Sequence, residues 1–119
     1  MEIRERHRGG VAFLVLSGNL LEDSSYDHKG LLNHVDRLIR GGEDMVVLDL
    51  TDVERIDALG LGEIAESIRH ASSRGASLKL LRPQPRVDGL LSVTRLRAVV
   101  DVYDREDQIF QHAATARRQ

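Results

Sequence analysis

Val46-Val47-Leu48-Asp49-Leu50-Thr51-Asp52-Val53-Glu54-Arg55-Ile56-Asp57-Ala58-Leu59-Gly60-Leu61-Gly62 is the stretch on which the reading of this chain turns. It opens with an apolar run too short for a helix and rich in β-branched residues, the pattern of a strand buried on both faces. It closes with Asp57 ahead of a helical pattern in which Leu61, Ile64, Ala65 and Ile68 share a stripe. Aspartate at that point is a natural N-cap, because its carboxylate accepts from the free N–H groups of the first turn. The spacing therefore predicts a strand at 45–50, a loop, and a helix from about 58 to 73. The capped helix end is the place to look for function.

At about 100° per residue, Leu59 falls opposite the apolar stripe, alongside Glu63, Glu66 and His70. Glu63 and Glu66 are then expected on an exposed, solvated face. Two placements of Leu59 follow: exposed on that charged face, or tucked into the loop if the first turn tilts.

Outward from this unit, residues 2–8 are highly charged and read as an edge strand. Gly9-Gly10 is a turn, and Val11 to Leu16 is a second buried-type strand that Ser17-Gly18-Asn19 ends. Residues 23–40 read as a helix, with Ser24 and Asp27 spaced as a capping box and Leu31, Leu32, Val35, Leu38 and Ile39 on one stripe. Gly41-Gly42 stops it. After the second helix, Ser77 to Leu81 is a strand. Pro85 opens a helical pattern at Val87, Leu90, Leu91 and Thr94. Val99 to Tyr103 is a last strand, and Asp104 caps a final helix burying Ile109, Phe110 and Ala113. Thr115 to Gln119 is expected to fray.

The order is β-β-α-β-α-β-α-β-α. Every strand connection after the first turn contains a helix, so the pairing is expected to be parallel apart from one N-terminal hairpin. The fold class is α/β: a single domain over 1–114 with a mixed sheet, then a tail at 115–119.

Composition removes several functions. A net charge of −2 leaves no electrostatic footprint for nucleic acid, and four aromatic residues offer no stacking platform for single strands. Zero cysteines exclude disulfides and thiolate chemistry, and fit a cytoplasmic location. No apolar run approaches the ~20 residues needed to span a bilayer. The five histidines fall on different predicted elements, so no metal centre is expected. No cofactor is expected either. Gly60-Leu61-Gly62-Glu63-Ile64-Ala65 matches G-x-G-x-x-A, but residues 51–59 separate it from its strand, against the dinucleotide pattern. The bland alternative is that Gly60 and Gly62 allow close packing at the helix start. Asp49 lacks the companions of a receiver-domain phospho-acceptor, and no Ser-His-Asp set can be argued from spacing.

Asp49-Leu50-Thr51, then Val53, then Ile56-Asp57, then Gly60-Leu61-Gly62 resembles the signature of STAS domains, the anti-sigma-factor antagonist family. The element order is similar to the STAS fold from end to end. In that family the two residues after the aspartate are usually Ser or Thr, and a partner kinase phosphorylates the first. Here they are Ala58 and Leu59, so the frame is present and the phosphorylated hydroxyl is missing.

The resemblance implies a non-enzymatic bacterial regulator in a partner-switching pathway that controls transcription. Its partner would be an anti-sigma-factor serine kinase with a histidine-kinase-like ATPase fold, whose sequestration frees a sigma factor. The contact surface it implies is Asp57, Ala58, Leu59 and Gly60, extended along Glu63, with Gly18 and Asn19 at the end of the second strand. Asn19 stands where the family often has an acid. Two other roles remain open: a STAS subunit docked on a membrane transporter ATPase, or a scaffold among other STAS proteins.

Overall fold

The computed structural model describes residues 2–20 and 30–117, and side chains as far as Gln111 apart from Leu20. The expected capping box at Ser24 and Asp27 lies outside the described residues. Strands β1 (Glu2–Arg8) and β2 (Val11–Leu20) are followed by helix α1 (Gly30–Arg40), β3 (Met45–Ile56) and α2 (Ala58–Ser73). Then come β4 (Ser77–Leu81), α3 (Pro85–Val93), a 3-10 turn (Leu96–Ala98), β5 (Asp101–Tyr103) and α4 (Glu106–Arg117).

The hairpin closes with Arg8 opposite Val11, leaving a two-residue loop. Both loop residues have positive φ, 57° at Gly9 and 79° at Gly10. That geometry matches the twist of the flanking strands, and glycine adopts it without steric cost. A Cβ on Gly9 would also lie 2.8 Å from Phe110 Cε1, so α4 packs onto this turn.

The five strands lie side by side in chain order, β1 antiparallel to β2 and the rest parallel. When parallel strands are laid down in sequence by crossovers of one hand, the crossover helices fall on one face of the sheet. They do here. Ala12, Leu14 and Leu16 of β2, Val46, Leu48 and Leu50 of β3, and Leu78 and Leu80 of β4 form one core with Leu31, Val35 and Leu38 of α1, Ile64 and Ala71 of α2, and Val87 and Leu91 of α3. The alternate residues Val11, Phe13, Val47 and Leu81 form a smaller layer under Ile109 of α4 on the opposite face.

Helix α4 is also tied to the edge strand. Arg6 and Arg8 both donate to the Glu106 carboxylate, and their guanidinium groups lie 4.0 Å and 4.5 Å from the ring centres of Phe13 and Phe110. Arg6 first, then Arg8, holds the Glu106 carboxyl below the usual carboxylate range.

Several boundaries differ from the sequence expectation. β2 continues through Ser17, Gly18 and Asn19 to Leu20, and β3 continues through the expected loop to Ile56. The last strand begins at Asp101 rather than Val99, because a 3-10 turn over Leu96–Ala98 precedes it. At α4 the N–H of Arg105 is taken by Gln108 Oε1 at 3.2 Å, so the helix opens one residue later than a cap at Asp104 would place it.

Candidate partner-binding surface

The extension of β3 explains how the chain reaches the helix start. Val15 pairs with Asp49, Ser17 with Asp52, Gly18 with Val53 and Leu20 with Ile56. Twice, β3 uses three residues where β2 uses two, so β3 carries two bulges. Its inward residues Leu50, Val53 and Ile56 are therefore spaced by three instead of two, and all are buried. Asp49 sits where the pairing with β4 ends, opposite Leu81. Its buried carboxylate accepts from the Thr51 N–H at 3.0 Å and the Thr51 hydroxyl at 2.6 Å. The Thr51 carbonyl in turn accepts from Gln84 Nε2 at 2.8 Å, and Arg82 Nε donates to its hydroxyl at 3.2 Å. Thr51 is thus a structural hydroxyl that ties Asp49, Arg82 and Gln84 together at the first bulge of β3.

Ile56 anchors the end of the extension, and Asp57 follows with extended backbone (φ −109°, ψ −173°). Its Oδ1 accepts from the Gly60 N–H at 3.1 Å, which makes Asp57 the expected N-cap. The carboxylate also brings negative charge to the helix N-terminus, the position a phosphate would need, and this argues against an anion site there. Ala58 and Leu59, the first two helical residues, face solvent, with Leu59 44% exposed. The exposed placement of Leu59 is the one the structure takes. Gly60 is buried, while Gly62 faces open space with nothing within 4 Å of a Cβ built on it. Gly62 therefore does not serve the close packing expected of it.

Glu63 is a correction. It is buried at 5% exposure and not part of a solvated face, and its Oε1 accepts from the Leu31 N–H of α1 at 2.9 Å. The reason lies in how α2 packs. One side of the helix meets the sheet through Ile64, but α1 lies against the next side, where Gly60, Glu63, Ser67 and Ala71 are buried. The face that reads as polar on a helical wheel is a helix–helix contact. His70 on the same side bonds Asp36 of α1 at 2.6 Å, while Glu66 stays exposed. Leu59 escapes burial because it lies at the helix end. The Ser67 hydroxyl is fully buried and has no hydrogen-bond partner among the described residues, so it is not presented to a kinase.

Gly18 and Asn19 fall within the extended part of β2. Gly18 lies opposite Val53, and Leu20 lies opposite Ile56, next to the cap. Gly18 has a φ of 89° and is exposed. The two sequence-predicted groups, 18–19 and 57–60, therefore approach one edge of the molecule through adjacent strand ends, whereas Glu63 is turned into the contact with α1.

One cluster escaped the sequence reading. Glu5 on β1 accepts from His7 at 2.7 Å and from His34 of α1 at 2.9 Å. His7 is two residues from Glu5 on β1, but His34 is remote in sequence, and only the packing of α1 near β1 brings it to the same carboxylate. No group of His, Asp or Glu among the described residues is placed to hold a metal ion. No described helix is long and apolar enough to cross a membrane.

The model of the STAS domain matches residues 2–109 of the chain. This chain belongs to the STAS domain family. Its five-stranded sheet, antiparallel at β1–β2 and parallel thereafter, is the STAS fold. A candidate anti-sigma factor antagonist of Thermotoga neapolitana is 38% identical over 69 residues, 58% of this chain and 61% of that protein. The match thus spans about three fifths of the curated relative's length. The crystal structure of a candidate anti-sigma factor antagonist of Thermotoga maritima superposes with a TM-score of 0.79 at 26% identity, covering 92% of each chain. The anti-sigma factor antagonist SpoIIAA in its unphosphorylated form shares the fold at a TM-score of 0.76 and 14% identity, covering 96% of this chain and 97% of that one.

Proposed function

We propose that this STAS domain is an anti-sigma-factor antagonist-type regulator that binds an anti-sigma-factor serine kinase in the bacterial cytoplasm and is not switched by phosphorylation at the usual site. The observation that carries the reading is the solvent-facing pair Ala58-Leu59 directly after the Asp57 cap. The family presents a phosphorylatable hydroxyl there, and this chain presents a methyl group and an isobutyl group. A phosphate at that position would add a charge of about −2 beside Asp57 and drive an interface apart. An alanine leaves the surface uncharged under all conditions, so the partner stays bound. The relatives named as candidate antagonists support the same class of role. The reading is of a non-enzymatic regulator, in line with the STAS family to which the chain belongs.

An Ala58→Ser variant tests it. The variant incubated with the cognate anti-sigma-factor kinase and ATP is expected to be phosphorylated on the introduced hydroxyl and released, while the natural chain stays bound and unmodified. A kinase that binds neither form defeats the reading. So would a phosphate on the natural chain, isolated from its own cells, whose removal changes binding.

A further inference from the structure

Strand β3 outruns one of its neighbours. It is 12 residues long against five for β4, and the pairing between them stops at Asp49 and Leu81. β2 stays beside β3 as far as Ile56, so the extension has a strand on one side only. On the other side, Gln84 Nε2 closes off the Thr51 carbonyl at 2.8 Å. From Asp52 to Ile56, no backbone group bonds to anything outside the β2–β3 pairing among the described residues. Helix α3 begins at Pro85 as the crossover between two parallel strands, so it runs back along the sheet and away from the extension. Asp52, Glu54 and Arg55 are accordingly exposed. At roughly 3.3 Å per residue, this open edge is about 16 Å long, the length of an ordinary strand.

Only the edge is open. Val53 and Ile56 are buried in the main core, so this face of the extension is committed to the fold. What the edge offers a ligand is a row of main-chain donors and acceptors, which are strong hydrogen-bonding groups. A helix has its own main-chain groups engaged internally, whereas an extended strand presents free ones at the matching spacing. The exposed side chains along the edge are two acids and one base, and none makes an ion pair among the described residues. Charges of this kind guard an edge against indiscriminate strand pairing. A strand that carries the opposite charges turns them into cross-strand pairs.

We infer that the outer edge of β3, from Asp52 to Ile56, binds an extended segment of a partner protein as an added strand, with basic side chains set against Asp52 and Glu54. Main-chain bonds supply the affinity, and the charges select the segment. The edge runs directly into Asp57 and the start of α2, so the added strand lies next to Ala58 and Leu59. A partner that grips the helix end there gains a second contact, read through the backbone. That contact is set by β3 itself and does not require the partner to be a kinase.

Cyclised β-hairpin peptides test this, because their outer strand is already extended. One carries lysines on that strand, one carries glutamates, and the third is the lysine peptide N-methylated along its outer edge. Each is titrated into the full isotope-labelled chain and followed by NMR. The lysine peptide is expected to shift the amides of residues 52–56 and to slow their hydrogen exchange. The glutamate and N-methylated peptides are expected to bind at least tenfold more weakly. Asp52→Lys combined with Glu54→Lys is expected to reverse the preference between lysine and glutamate. Both positions are exposed, and an unchanged amide spectrum elsewhere verifies the fold. Equal binding of the N-methylated peptide overturns the inference, since no main-chain ladder then forms. Shifts confined to another surface, or none at millimolar peptide, overturn it too. So does concentration-dependent dimerisation that protects the amides of 52–56, because the occupant is then a second copy of this chain.

Discussion

Asp57 caps α2, and its proposed recognition role can be tested apart from that structural one. The carboxylate oxygen that accepts from the Gly60 N–H caps α2, and removing it in Asp57→Ala is expected to cost about 1 kcal/mol in urea unfolding. Asp57→Asn keeps a capping oxygen and removes the charge. Its unfolding midpoint should stay close to that of the natural chain, so any loss of partner binding in this variant reports recognition alone. Glu63 differs, because its buried carboxylate holds the Leu31 N–H across the α1–α2 contact. Glu63→Ala strands that donor, and an expected loss of about 1–3 kcal/mol follows. Gly62 offers the opposite sign. It is a glycine inside a helix with open space around it, so Gly62→Ala should raise stability by roughly 0.5–1 kcal/mol. A lower midpoint for that variant would mean that Gly62 serves a contact.

The elements show what a sequence does and does not disclose. The N-cap at Asp57 and the span of α2 are legible because a cap and a 3.6-residue stripe are local signals. The second half of β3 is not. Two bulges turn its period from two to three, so Thr51 to Ile56 reads as a loop although Val53 and Ile56 are core residues. Glu63 fails for a related reason: a helical wheel knows one buried face, and α2 has two because α1 lies beside it. The β1–α1 tie through Glu5 is likewise a product of tertiary pairing.

That tie has a pH signature. Hydrogen bonds from His7, then His34, hold the Glu5 carboxyl below its ordinary value of 4.5. The same Glu5 bond raises His7 above its ordinary 6.5, with a smaller push from Glu43. The contribution of Glu5 is present above pH 4.5 and lost as pH falls through its lowered folded value. That of His7 is complete below pH 6.5 and lost as pH rises through its raised folded value. The Glu5–His7 pair within this cluster is therefore strongest between these two ordinary values. An NMR titration should place the His7 ring above 6.5, and Glu5→Gln should return it towards that value.

At the scale of the whole molecule, the sheet divides the core unequally. Three helices cover one face, and the other depends on α4 with Ile109, Phe110 and the Glu106 carboxylate gripped by Arg6 and Arg8. Ile109→Ala is expected to cost about 2–5 kcal/mol and to raise hydrogen exchange in α4 and β1 first. Uniform loss of protection in every element would show instead that the two layers unfold together. The order of elements and the hairpin are readable from apolar periodicity, helped by glycine or proline stops at Gly9-Gly10, Gly41-Gly42, Gly75 and Pro83 to Pro85. Which surfaces are left open is not readable, because the apolar residues at 59, 93 and 99 look like core until the packing is known.

Direct binding of the natural chain to the anti-sigma-factor kinase proposed as its partner, measured by calorimetry with ADP and again with ATP, tests the central claim most directly. A complex of equal affinity in both nucleotides, weakened at least tenfold by Leu59→Asp, is the expected result. No binding, or binding that ATP abolishes or Leu59→Asp leaves untouched, would contradict it.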